Sequence, residues 1–168
     1  MRLRLNQSKP LAILMAAFLS IAHHEALADD TVFVVLSQSD GAQTEVGFTL
    51  AELDALPQVT VVTENEFVTG KVAFTGPLAR VVLKQTGDVS AETVKLIAAN
   101  DYHIEVPVED FRKYNTILAT RQNGALFSSR DKGPIWLIYP MSDHSELRDS
   151  TYNSRLIWQL VRMEVLKN

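Results

Sequence analysis

The side chains able to do chemistry are few, and their spacing is mostly uninformative. The chain of 168 residues has no cysteine and four histidines. Without Cys there is neither a thiol nucleophile nor a thiolate metal ligand. Asp143, His144 and Glu146 are close enough in sequence to share a cation. Their spacing matches no zinc pattern, so they read as a solvated acidic loop and no metal ligands are assigned. Ser, His and Asp occur without a G-x-S-x-G elbow, and Gly70, Gly76 and Gly87 do not build a phosphate-cradling loop. The acids are too many for any one pair to be singled out for glycoside cleavage. What remains is a polar loop carrying Arg121, Arg130 and Lys132 in a chain of formal charge −4. A guanidinium fork suits phosphate or carboxylate, but solvated loop charges are the commoner reading. Beyond the loop, alternation puts Ile135, Leu137 and Tyr139 on one face and Trp136 with Ile138 on the other. Core packing is expected for both faces.

These residues sit in residues 118–140, LATRQNGALFSSRDKGPIWLIYP. Two apolar strands bracket an Asn123-Gly124 hairpin, a charged loop and a Gly133-Pro134 turn. Upstream, β-branched runs predict strands over residues 31–36, 46–48, 59–63 and 67–74, with an Asp40-Gly41 turn after the first. Thr49 and Glu52 form a capping box that opens a helix on Leu50, Leu53 and Leu56, closed by Pro57. A second helix should start at Gly76-Pro77, carry Leu78, Val81, Val82 and Gln85 on one face, and end at a Gly87 cap. Residues 94–99 and 102–106 alternate about an Asn100-Asp101 two-residue turn, giving a hairpin ended by Pro107. One helical turn is expected over 108–114, a loop over 141–150, a short helix over 151–160 and a closing strand over 161–165. Strand-rich with short helices, the chain is α+β.

Residues 1–28 stand apart. Arg2, Arg4 and Lys9 precede an apolar run over 11–22, and Ala26-Leu27-Ala28 has the form of a signal-peptidase site. The run is shorter than the roughly 20 residues that span a bilayer, so the expectation is a cleaved secretory signal peptide. It leaves a single domain over 29–168, periplasmic or secreted, with no membrane span. Removing those basic residues makes the remainder more acidic still, which argues against a nucleic-acid partner.

The order of five segments is similar to that of the molybdopterin-binding domain of the sulfite oxidase family. They are FTLAELDALP, VTVVTEN, FTGPLARVVLKQTG, VKLIAANDYHIEVP and the 118–140 stretch, together covering residues 46–165 with their surroundings. The resemblance implies mixed, curved β-sheets around a cofactor pocket. In the family a cysteine thiolate ligates molybdenum from the segment matching residues 61–67, which here reads VVTENEF. Soft sulfur is what that chemistry uses, and neither Thr63 nor Glu64 replaces it. A His-Gly-x-Pro-x-Arg run is also expected. Here Asp131 stands for the His and Trp136 for the Arg, while Gly133 and Pro134 are kept.

The parts that shape the fold are retained and the parts that make the redox site are altered. The favoured reading is a non-catalytic envelope module, without cofactor, that holds a small ligand or a protein partner, for instance as a sensory accessory. The alternative is a molybdopterin-dependent oxidoreductase with non-Cys metal ligation, and a third reading is a subunit docking onto a redox partner. No residue is assigned as catalytic. The site residues implied are Asn100, Tyr102, Arg121, Arg130, Lys132 and Trp136.

Overall fold

The closing strand of the chain lies in the middle of its largest sheet, so that sheet is complete only when the last element is in place. The computed structural model describes residues 30–39, 42–87 and 91–166. The expected signal segment and the Asp40-Gly41 turn lie outside the described residues. Strand β1 (Phe33–Ser39) alternates buried and partly exposed residues, as a half-buried strand must. It pairs antiparallel with β2 (Ala42–Phe48) and parallel with the closing strand, β11 (Leu160–Leu166). On the other side of β11 come β5 (Thr93–Ala98) and β6 (His103–Pro107), giving the order β2-β1-β11-β5-β6.

A second sheet runs β3 (Gln58–Thr63), β4 (Val72–Pro77), β8 (Arg121–Gln122) and β9 (Ala125–Leu126). A third is only two strands, β7 (Ile117–Ala119) and β10 (Trp136–Ile138), and every residue of both is buried. Unbroken burial explains why these runs read as continuous rather than alternating apolar stretches. Both faces of residues 135–139 are in the core, as the sequence leads one to expect.

The helices are short. The capping box is present: Thr49 Oγ1 accepts from the Glu52 N–H at 3.2 Å and Glu52 accepts from the Thr49 N–H at 2.7 Å, opening α1 (Leu50–Ala55). Such a cap contributes about 1 kcal/mol. Among the described residues, α2 (Ala79–Leu83), α3 (Val108–Lys113) and α4 (Ser150–Arg155) are the other α-helices. Gly87 closes the 3-10 turn after α2 with φ 74°. Few short helices on mixed sheets make the fold α+β.

The first hairpin is longer than expected, β1 running to Ser39 and β2 starting at Ala42, and four other boundaries depart with a local cause. The fourth strand begins at Val72, because residues 66–70 turn, with Asn65 Oδ1 accepting from the Phe67 N–H at 2.9 Å. Pro77 ends β4 rather than opening α2, and Leu78 caps the helix. Four residues, Ala99 to Tyr102, connect β5 to β6 in place of a two-residue turn, with Asp101 at φ 64° and the Ala98 N–H donating to the Tyr102 carbonyl at 2.9 Å. The last helix stops at Arg155, and Gln159 at φ 49° re-aims the chain into β11. By contrast, Asn123 and Gly124, at φ 49° and 82°, form the two-residue turn that the sequence announces.

Gly76 is the tightest point. A Cβ there would lie 2.0 Å from the Leu118 carbonyl oxygen, so the backbones of β4 and β7 meet with no room for a side chain. Gly87 has open space and only a positive φ to accommodate. Gly76→Ala is therefore expected to lose about 3 kcal/mol or more, against about 1 kcal/mol for Gly87→Ala, by urea unfolding midpoints. Equal losses would contradict the close approach.

Candidate functional site

Three stretches far apart in sequence converge on one cleft. They are the loop after β3 (Glu64 to Phe67), the tip of the β5–β6 hairpin (Asn100 and Tyr102), and the segment from Arg148 to Trp158 that carries α4. The cleft has a main chamber of about 520 Å³ and a smaller one of about 160 Å³. Glu66, Arg148 and Asn153 line both, so the two chambers adjoin along these three side chains. Its size is that of a small-molecule site.

The loop after β3 is latched in place. The buried Thr63 hydroxyl accepts from the Ser142 N–H at 3.0 Å, and Ser142 Oγ accepts from the Glu64 N–H at 3.1 Å. Asn65 uses its oxygen in the turn, which leaves its amide nitrogen buried without an acceptor. An unpaired buried donor costs about 1–3 kcal/mol. Arg148 is held at its base, Nε donating to the Met141 carbonyl at 2.9 Å and Nη2 to that of Ser142 at 3.1 Å. A guanidinium has five N–H donors, so three remain for other acceptors. No described acid forms a salt bridge with it.

The apolar end is aromatic. The Phe67 and Trp158 rings meet edge to face at 4.9 Å, and Tyr102 reaches across from the hairpin, its hydroxyl donating to the Ser154 carbonyl at 3.4 Å. Trp136 stands behind this wall. It is fully buried, packs 6.3 Å from Trp158, and donates from Nε1 to the Leu156 carbonyl at 3.1 Å. Truncating a buried Trp costs roughly 3–5 kcal/mol, which is a scaffold's role.

The α4 wall is pinned from below. Asp110, 7% exposed, accepts at Oδ2 from the Tyr139 hydroxyl at 2.8 Å and from Arg155 Nη1 at 2.7 Å. Burial, then the Asp110 charge, pushes the Tyr139 hydroxyl well above its ordinary pKa. The Arg155 guanidinium covers the Tyr152 ring at 5.0 Å, and Tyr152 packs on Tyr139 at 5.6 Å.

Of the six residues implied by the sequence, Asn100 and Tyr102 line the cleft and Trp136 backs it. Arg121 is engaged elsewhere, in a two-pronged pair with Asp54 at 2.5 and 2.7 Å. The Asp54 carboxyl is held below its usual range by that bond, and Arg121 is raised by the same contact. Arg130 is exposed on the 127–133 loop and does not line the cleft. Lys132 pairs with Asp131 at 3.7 Å and lies 5.2 Å from the Trp136 ring. That loop is fastened by Gln159, whose side chain donates to the Ser129 and Asp131 carbonyls at 3.2 and 2.9 Å. In the Asp143 to Glu146 stretch, His144 Nδ1 lies 3.9 Å from Glu146 Oε1, and Asp143 does not join them. His144 packs edge-on to Tyr114 and Glu146 serves Lys113 as well, and no cluster of three potential metal ligands exists among the described residues.

The sequence reading missed Arg148, Asn153, Trp158, Glu66 and Phe67. The one signal available was Arg148 as a lone base in DHSELRDS, next to a stretch containing an isolated Trp.

A molybdenum–pterin centre does not suit this donor set. The chain has no sulfur ligand of the thiolate type, and the wall at residues 64–66 offers only oxygen and amide groups. A phosphate-bearing tail would meet one cation, Arg148, alongside Glu66 and Asp149.

No protein-family model and no curated protein sequence matches the chain. Solved structures do, among them the crystal structure of the sulfane dehydrogenase SoxCD from Paracoccus pantotrophus. That match has a TM-score of 0.60 at 13% identity and covers 81% of this chain and 38% of that one. The chain thus spans little over a third of that protein. The likeness supports a distant molybdopterin-domain-like fold. No helix among the described residues is long and apolar enough to cross a membrane.

The Arg121–Asp54 pair is open to a pH test. Because the folded carboxyl titrates below its ordinary 3.8, its stabilisation is present above that pH and fades as pH falls through the folded value. Asp54→Asn should cost about 1 kcal/mol at pH 7, and its deficit against the parent should vanish in strong acid, read from urea midpoints. A deficit independent of pH would refute the ionic origin.

Proposed function

We propose that the chain is a ligand-binding module of the cell envelope, built on a sulfite-oxidase-type molybdopterin-binding scaffold but without molybdenum redox chemistry. The observation that carries this reading is the cleft itself. It has the size, aromatic wall and fixed polar groups of a binding site, yet oxygen and amide groups occupy the wall where the family resemblance calls for a thiolate. Sites lined mostly by apolar groups with a few oriented polar ones are what small molecules use. A sensory accessory that passes ligand occupancy to a partner protein is the form this module takes. The signal-like residues 1–28 supply the address, periplasmic or secreted.

The likeness to a dehydrogenase favours one other reading, a molybdopterin oxidoreductase with non-Cys metal ligation. Elemental and pterin analysis of protein made in a host that synthesises the cofactor separates the two. The binding reading expects far less than one molybdenum per chain, and stoichiometric metal with pterin would overturn it. The same preparation should come from the periplasmic fraction with Asp29 at its N-terminus. Recovery of the unprocessed chain from the cytoplasm would sink the envelope assignment.

A further inference from the structure

We infer that the cleft takes a small zwitterion, an aminocarboxylate with an aromatic or apolar tail. This rests on the binding reading above and names the ligand class for the same cleft. The argument begins with charge. Arg148 lines both chambers, is fixed by two backbone carbonyls and keeps three N–H donors without acceptors. Glu66 also lines both chambers, Glu64 lines the smaller one, and neither carboxylate has a described hydrogen bond or ion pair. Asp149 is different. Its carboxylate is already taken by the Thr151 and Tyr152 N–H groups at 2.8 and 3.1 Å. The free charges around the head of the cleft are therefore of both signs.

A ligand covering them must satisfy both signs or leave one desolvated and unpaired, which is costly. A carboxylate alone would pair with Arg148 and be repelled by Glu66. An amine alone would do the reverse, and a neutral heterocycle would answer neither. A dianionic phosphate would meet more negative than positive charge. An aminocarboxylate head answers both. The smaller chamber, at about 160 Å³, has the volume of roughly five waters, which is enough for such a head. Asn153, shared by the two chambers and without a described side-chain bond, is placed to orient it. The tail then lies in the main chamber against Phe67, Leu156, Ile157 and Trp158, where edge-to-face aromatic packing is already set up.

Titration calorimetry on the full chain, as its host produces it, tests this with four probes: L-phenylalanine, 3-phenylpropionate, phenethylamine and pterin. L-Phenylalanine should bind at least about tenfold more tightly than either half-ligand, the usual worth of one charged hydrogen bond. Arg148→Gln should weaken L-phenylalanine and 3-phenylpropionate about tenfold and spare phenethylamine. Glu66→Gln should weaken L-phenylalanine and phenethylamine and spare 3-phenylpropionate. Both side chains are exposed, so both variants should fold, and circular dichroism checks that they do. Equal affinity for L-phenylalanine and 3-phenylpropionate, with no effect of Glu66→Gln, would overturn the zwitterion. Binding of pterin alone, or of no probe by metal-free protein, also overturns the ligand class while leaving the binding reading standing. Stoichiometric molybdenum in the preparation defeats both.

Discussion

The structure around the cleft depends on one buried contact, the carboxylate of Asp110 shared between the Tyr139 hydroxyl and the Arg155 guanidinium. It joins three elements that the chain separates: α3, the end of β10 and α4. Arg155 ends α4, and the residues that follow it form the aromatic wall. Removing one partner of such a buried pair typically costs 3–5 kcal/mol, because the other charge is left without compensation. Its neighbours reinforce it. Tyr152 packs against both Arg155 and Tyr139, and Trp136 donates to the Leu156 carbonyl from behind. The wall is thus carried by the core and does not depend on its own short helix, which is too brief to be stable alone.

The core beneath it is built to be rigid. β7 and β10 are buried throughout, β4 approaches β7 with no space for a side chain at Gly76, and the Leu137 and Leu160 N–H groups donate to the Ile157 and Ile135 carbonyls at 2.9 and 3.0 Å. The first ties the small sheet to the stretch between α4 and β11, and the second ties the start of β11 to the residue before β10. Since β11 is the middle strand of the large sheet, the cleft wall is clamped at both ends. A binding site on such a frame is largely preformed, which is how small-molecule sites usually are. The Arg121–Asp54 pair belongs to the same frame. The strongest basic fork of the sequence is used for holding α1 against β8.

Much of this was legible in the sequence. The capping box at Thr49, the Asn123-Gly124 turn and the closing strand are written in local chemistry, and local chemistry decided them. The full burial of residues 135–139 followed from an apolar run between polar loops. The cleft was half legible. Asn100 and Tyr102 lie on a hairpin that the pattern located, and both reach the cleft. Arg130 and Lys132 stand out as positive charges in an acidic chain, but charge says nothing about which way a loop faces. Trp136 stands out for its place after Gly133-Pro134, and the core buries it. Arg148, Glu66 and Trp158 were not read because the cleft joins segments some 30 to 90 residues apart, and no local periodicity reports such a meeting. The left-handed Gln159, which turns Trp158 toward the cleft segment and pins the 127–133 loop, carries no sequence signature either.

Amide hydrogen exchange on Asp110→Asn tests most directly whether the buried contact holds the cleft wall. An amide in place of the carboxylate keeps an acceptor for Tyr139 and removes the charge that Arg155 requires. The account predicts faster exchange across Asn153, Leu156 and Ile157, with the amides of β4 and β7 protected as in the parent. Unchanged exchange in the wall, or an equal loss of protection throughout the chain, would contradict it.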